Sequence, residues 1–153
     1  MRRLMLVLAS ACAVAAPAAA VAPAQADGTA CVLHARLSAA NETTGSTSTA
    51  TGHTQIKVRS SGTIEFKTQI FNPAGETFFA GHIHIGAPGV AGPIVVPLYG
   101  PPSPATSAQH IVQSGVATPN AGTTGAAICA NPTAYYVNYH TTAFTGGAIR
   151  GQL

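Results

Sequence analysis

Two histidines alternate with isoleucines in the segment GHIHIG at residues 81–86, and a third follows the same alternation in YYVNYHT at residues 135–141. A period of two is typical of a β-strand with one apolar and one polar face. In both segments the histidines lie opposite the apolar positions. If the two strands belong to one sheet, His82, His84 and His140 project from the same side of it. Three imidazoles on one face can form the ligand set of a metal site.

The spacing of these side chains suits a single bound ion. Residues two apart on a strand lie about 6.5–7 Å apart along one face, so their imidazoles can lean toward a shared centre. His34 is a candidate fourth ligand, because it also alternates away from Leu33 and Leu37. Imidazole suits copper and zinc, and Cu(II) binds such nitrogen sites most tightly among the divalent first-row ions. We therefore expect copper, with zinc bound by three histidines and a water as the second choice.

A histidine on a polar strand face is more commonly a surface or hydrogen-bonded residue than a ligand. The alternative is therefore that His82 and His84 bond to loops that cover the sheet, in a protein- or matrix-binding module whose histidines are structural. Two further histidines, His53 at the start of a strand and His110 beside a proline-rich loop, are interpreted as incidental.

The N-terminal segment has the three parts of a secretory signal peptide, namely a basic start, an apolar run and a final A-x-A at residues 24–26. We expect cleavage after residue 26, which would leave a single secreted, extracellular domain at residues 27–153 with no transmembrane segment. A cell-surface lipoprotein acylated at Cys12 is the alternative, although Ala9 stands where a larger aliphatic residue is usual.

The charge of the mature chain limits its partners. Removing 26 of the 153 residues leaves 127, one domain's worth, with five basic and four acidic side chains and a net charge of +1. No basic patch remains, so nucleic acid is not an expected partner. A metal ion or an extracellular protein is expected instead.

Two cysteines remain in the mature chain, Cys31 and Cys129. An even number in an exported protein indicates a disulfide, which would tie the first strand to the segment before YYVNYHT. Two buried free thiols are the alternative.

The mature sequence shows strand patterns and no convincing helix, because glycine and proline recur and no stretch has apolar residues at three-to-four spacing. Strands are predicted at residues 31–39, 53–59, 63–71, 79–85, 94–99, 109–116, 135–141 and 148–153. Seven to eight short antiparallel strands predict an all-β fold, a Greek-key-like β-sandwich or flattened barrel with one core.

Several segments together resemble the CHRD domain, the module first described in chordin. They lie at residues 37–42, 50–52, 81–96, 131–141 and 147–153. The resemblance extends from about Cys31 to the end of the sequence. It implies an extracellular all-β binding module, of the single-domain secreted form that occurs in bacteria; in animals the parent protein binds growth factors.

The sequence departs from this family in one loop. The family often has Glu-Val-Pro-Pro where this chain has Glu42 followed by Thr43, Thr44 and Gly45. Glu42 itself matches the motif, and we expect it to bind backbone amides in its loop.

The His-x-His strand also resembles copper–zinc superoxide dismutase, over this pair and the general architecture only. That family needs a histidine bridging two metals and an aspartate on the zinc, whereas the only aspartate here is Asp27. Arg150, on the polar side of the last strand, either guides an anion or is a structural residue. A copper-dependent dismutase-like oxidoreductase is therefore the enzymatic alternative to a binding module.

Overall fold

The computed structural model describes residues 28–153, which form an all-β structure of eight antiparallel strands. The strands are β1 (Thr29–Ser38), β2 (Thr51–Arg59), β3 (Ile64–Phe71), β4 (Phe78–Ile85), β5 (Ile94–Tyr99), β6 (His110–Ala117), β7 (Tyr135–Thr141) and β8 (Ile149–Gln152). Each lies within two residues of its predicted position. The predicted signal peptide and the alternative acylation at Cys12 lie outside the described residues.

The strands form one sheet in the order β5-β4-β7-β8-β1-β2-β3-β6. The sheet curls into a nearly closed barrel, which confirms the predicted flattened barrel. Its two end strands are linked through Asn120, which follows β6 and donates its backbone N–H to the carbonyl of Val95 on β5 at 2.8 Å. This order makes β4 and β7 neighbours although they are far apart in the sequence, and it pairs Ala80 with His140 and His82 with Asn138.

The inward-facing residues of the strands fill the barrel. Ile83, Val137 and Ile149 are fully buried there, as their alternation with polar residues predicts. Tyr139 also points inward, and its hydroxyl donates to Thr68 Oγ1 at 2.8 Å. Since an unpaired buried hydroxyl is costly, this bond allows a tyrosine to occupy the core.

The outward face of β4, β7 and β8 is buried as well, because loops lie over it. We call residues 39–50, 86–93 and 142–148 the covering loops. Arg150 on β8 binds one of them, since its Nη1 and Nη2 donate to the carbonyls of Val90 and Ala87 at 3.0 and 2.9 Å.

A short helix, α1 (Gly125–Ala130), interrupts the all-β pattern, and with two single-turn 3-10 segments it is all the helix in residues 28–153. Thr124 caps it by accepting the N–H of Ala127 at 3.1 Å, and Ile128 is buried in the core. Six residues are too few for helical periodicity to show in the sequence, so α1 was not predicted. No helix in the described range is long and apolar enough to cross a bilayer.

The predicted disulfide is present and joins Cys31 on β1 to Cys129 in α1. It fastens the helix to the first strand at one end of the barrel.

Candidate metal centre

Strand pairing brings three imidazoles together on the outward face of the sheet. His82 and His84 stand on β4, and His140 stands on the adjacent β7; each offers a ring nitrogen, and these nitrogens all lie within 4.8 Å of one another. The closest pair is His82 Nδ1 and His140 Nε2, 3.2 Å apart. The predicted common face is confirmed, because β4 and β7 are neighbours and their polar faces coincide. We call these three residues the three-histidine centre.

Two of the rings are oriented by the covering loops. His84 Nδ1 lies 2.8 Å from the carbonyl oxygen of Gly92, and His140 Nδ1 lies 2.9 Å from that of Thr145. A carbonyl oxygen can only accept, so each Nδ1 carries the proton and each Nε2 keeps its lone pair. Metal-binding histidines are usually held in this way, by a backbone carbonyl on the nitrogen that does not bind the metal.

The freed nitrogen of His84 is the feature of the centre that most favours a ligand. His84 Nε2 is buried and has no hydrogen-bond partner in the part of the chain that the structure describes. The residue is 8% exposed and His140 is 7% exposed, while His82 is half-buried. A buried polar atom without a partner costs free energy, and an ion bound between the three rings would satisfy it.

The electrostatics of the centre keep the imidazoles neutral. Burial, together with the neighbouring His140 and His84, lowers the pKa of His82 to about 4. Burial also lowers the pKa of His84 and of His140, and this effect outweighs the opposing hydrogen bonds to Gly92 and Thr145. At neutral pH all three rings are therefore neutral, the form that a metal ion binds. The lone pair of His140 Nε2 accepts the Nδ1–H of His82 at 3.2 Å, and a bound ion would replace this hydrogen bond.

Tyr136 supports the centre from the side. Its ring stacks on that of His84, with centroids 4.9 Å apart and planes inclined by 11°. The guanidinium carbon of Arg150 lies over the same ring, 3.4 Å from its centroid. Tyr136 was not among the predicted site residues. Its position in the alternation Tyr136, Asn138, His140 was the signal that could have done so.

Arg150 has the burial and the contacts of a structural residue. It is 2% exposed, and its guanidinium is occupied by the loop carbonyls of Ala87 and Val90 and by the Tyr136 ring. These contacts favour a structural role over the alternative that Arg150 guides an anion.

The structure does not bring His34 to the three-histidine centre. The prediction that His34 lies on the outward face of its strand is correct. However, β8 lies between β1 and β7 in the sheet. The ring lies beside His53 instead, with His34 Nδ1 3.3 Å from His53 Nε2.

Glu42 lies in a covering loop and lines an open cavity of about 320 Å³ together with Arg150, Pro88 and Gln152. Against the larger effect of burial, a hydrogen bond from the backbone of Thr43 to its carboxylate lowers the pKa of Glu42. Its Oε1 is buried and has no hydrogen-bond partner among the described residues. Burial raises the pKa of Glu42 to about 7, against the opposing effect of the Arg150 charge.

A family model for the CHRD domain matches residues 33–153. No curated protein and no solved structure is significantly similar to the chain. The match includes both strands of the three-histidine centre and all the covering loops. The chain therefore belongs to the CHRD domain family.

Proposed function

We propose that this CHRD domain is a secreted binding module whose three-histidine centre holds a transition-metal ion, with Cu(II) preferred over Zn(II). One observation carries the proposal: two of the three rings are fixed through Nδ1 by backbone carbonyls, and the Nε2 of His84 is left buried without a partner. The disulfide between Cys31 and Cys129 supports secretion, because such bonds persist in oxidising compartments outside the cytosol.

The ligand chemistry supports copper. The centre offers three neutral imidazoles and contains neither thiolate nor carboxylate, and a nitrogen site of this kind binds Cu(II) more tightly than Zn(II). Three protein ligands leave a position for water or for a group from a partner molecule. Zn(II) in a tetrahedral arrangement is the second choice.

The alternative of purely structural histidines draws on the same hydrogen bonds to Gly92 and Thr145. It explains why the Nδ1 atoms of His84 and His140 are paired. It gives no role to His84 Nε2, which is buried without a partner, and for this reason we favour a metal.

The experiment is a titration of the untagged protein with Cu(II) and Zn(II) against a competing chelator. We expect tight binding by the wild type and its loss in the double variant His82→Ala/His84→Ala. The matched control is His110→Ala, which removes an exposed imidazole on β6 and should leave tight binding unchanged. Circular dichroism checks that each variant is folded. A folded double variant that binds Cu(II) as tightly as the wild type would show that the ligand assignment is wrong.

The enzymatic alternative, a dismutase-like oxidoreductase, is tested with the same material. Arg150 is already bonded to loop carbonyls and is poorly placed to guide an anion, so we propose binding rather than catalysis. Copper-loaded protein that consumes superoxide faster than free copper at the same concentration would reverse that choice.

A further inference from the structure

A second group of imidazoles lies on the outward face of β1 and β2. His34 and His53 are both exposed, and their rings stack with centroids 5.3 Å apart and planes inclined by 23°. They are diagonal neighbours, because His34 is paired with Gln55 while His53 is paired with Arg36. We call these two residues the surface histidine pair.

The separation of their nitrogens is that of two ligands on one metal ion. His34 Nδ1 and His53 Nε2 are 3.3 Å apart. Metal–nitrogen bonds of 2.0–2.1 Å place two adjacent imidazole nitrogens about 2.9–3.4 Å apart at right-angled or tetrahedral geometry. The distance meets this condition. In the metal-free protein one ring donates an N–H to the other, and a metal ion would take the place of that proton once the rings turn both lone pairs toward it.

We propose that the surface histidine pair is a second transition-metal site, separate from the three-histidine centre, that binds Cu(II) or Zn(II) through two imidazoles. The remaining positions on the ion are filled by water, since an open cavity of about 240 Å³ lies beside His53 and is lined also by Gln55, Lys67 and Gln69. The glutamine side chains can bond such waters through their amide groups.

Two features make this site weaker than the three-histidine centre. It supplies two imidazoles instead of three, and it has cations nearby, because Arg36 is paired with His53 across the strands and Lys67 is paired with Gln55. Like charges near an ion lower its affinity. The surface histidine pair should therefore fill second when metal is added stepwise.

The histidines of the chain allow a clean test, because the six divide into the three-histidine centre, the surface histidine pair and His110. In a Cu(II) titration of untagged protein we expect two equivalents for the wild type, and loss of the weaker one in His34→Ala/His53→Ala. The variant His82→Ala/His84→Ala should keep only the weaker one. His110→Ala is the matched control and should bind two.

The single variants His34→Ala and His53→Ala separate chelation from independent binding. Each should abolish the weaker equivalent completely, because one exposed imidazole alone holds an ion poorly. Both side chains are exposed, so folding should be unaffected. Two single variants that each leave half of the weak binding would overturn the proposal, because the rings would then act independently.

The failure of this inference can be told apart from the failure of the proposed function. A single wild-type equivalent that His82→Ala/His84→Ala removes and His34→Ala/His53→Ala retains would overturn the surface site alone. A single equivalent with the opposite pattern would support the surface site and overturn the three-histidine centre.

Discussion

At the scale of single residues, the half-buried imidazole of His82 makes stability depend on pH. An unfolded histidine takes up a proton near pH 6.5, whereas burial lowers the pKa of folded His82 to about 4. Between these values the unfolded chain binds more protons, so acid favours unfolding. We expect the stability that neutral His82 contributes above pH 6.5 to be lost as the pH falls toward 4. Urea unfolding of the metal-free protein across this range measures it. His82→Gln should show a shallower loss, and an equal slope in both proteins would contradict the prediction.

Glu42 acts in the opposite direction. Its pKa rises from 4.5 to about 7 because of burial, so the folded state holds the proton more strongly than the unfolded state. The stability that protonated Glu42 contributes is complete below about pH 4.5 and is lost as the pH rises through 7. Glu42→Gln keeps a neutral side chain, and its free energy of unfolding should therefore rise relative to the wild type between pH 4.5 and 7. A difference that stays constant over this interval in urea unfolding would show that Glu42 does not titrate there.

Sequence reasoning succeeded for individual side chains where alternation alone decides their direction. His82 and His84 had to face away from Ile83, and they do. The same logic gave the direction of His34 but not its neighbours, because period two fixes the face of a strand and not its distance from other strands. The hydrogen bonds that orient His84 and His140 come from loop carbonyls, whose positions no side-chain pattern encodes.

At the scale of elements, β4 and β7 approach closely at Gly81. A β-carbon there would overlap the ring of Tyr139, which is fully buried and bonded to Thr68. Gly81→Ala should therefore destabilise the protein by about 1–3 kcal/mol, the usual cost of overpacking a core. The control Gly146→Ala places its β-carbon 3.2 Å from the side-chain methyl group of exposed Thr44 and should change stability little. Urea unfolding measures both, and equal effects would contradict the prediction.

The covering loop at residues 86–93 depends on Gly92. A β-carbon at this position would overlap the carbonyl group of Ile85, so the loop would have to shift and withdraw the Gly92 carbonyl from His84. We expect Gly92→Ala to weaken Cu(II) binding about 10–100-fold, the usual effect of losing a group that orients a ligand.

The matched control for Gly92→Ala is Val90→Ala in the same loop. Val90 is 53% exposed, and its carbonyl remains available to Arg150. Chelator competition should give Val90→Ala the affinity of the wild type. If Gly92→Ala also retained that affinity, the Gly92 carbonyl would have no part in orienting His84.

At the scale of the whole molecule, the disulfide between Cys31 and Cys129 closes a long loop, with a sequence separation of 98. In the chain-entropy model such a cross-link stabilises the fold by about 4–5 kcal/mol. Cys31→Ala/Cys129→Ala should lower the free energy of unfolding by about this amount. Cu(II) binding by the folded variant should be unchanged, because the hydrogen bonds that hold two of the three imidazoles come from covering loops and not from α1. A folded variant that loses Cu(II) binding would contradict this independence.

The order of the strands in the sheet could not be predicted from the sequence. The ligands His82 and His140 are 58 residues apart, and their contact depends on β4 and β7 being neighbours in the barrel. Alternation and turn residues located every strand, but the pairing of distant strands depends on how the entire apolar surface is buried. The strand set could therefore be predicted, whereas the membership of the three-histidine centre could only be hypothesised.

Alternate residues of β4 and β7 serve two purposes that do not compete. Inward positions such as Ile83 and Val137 fill the barrel, while the imidazoles stand outside it beneath the covering loops. Outward positions can therefore change their chemistry while the interior goes on specifying the same architecture. The same barrel can therefore support binding sites of different chemistry, made by substituting every second residue of β4 and β7.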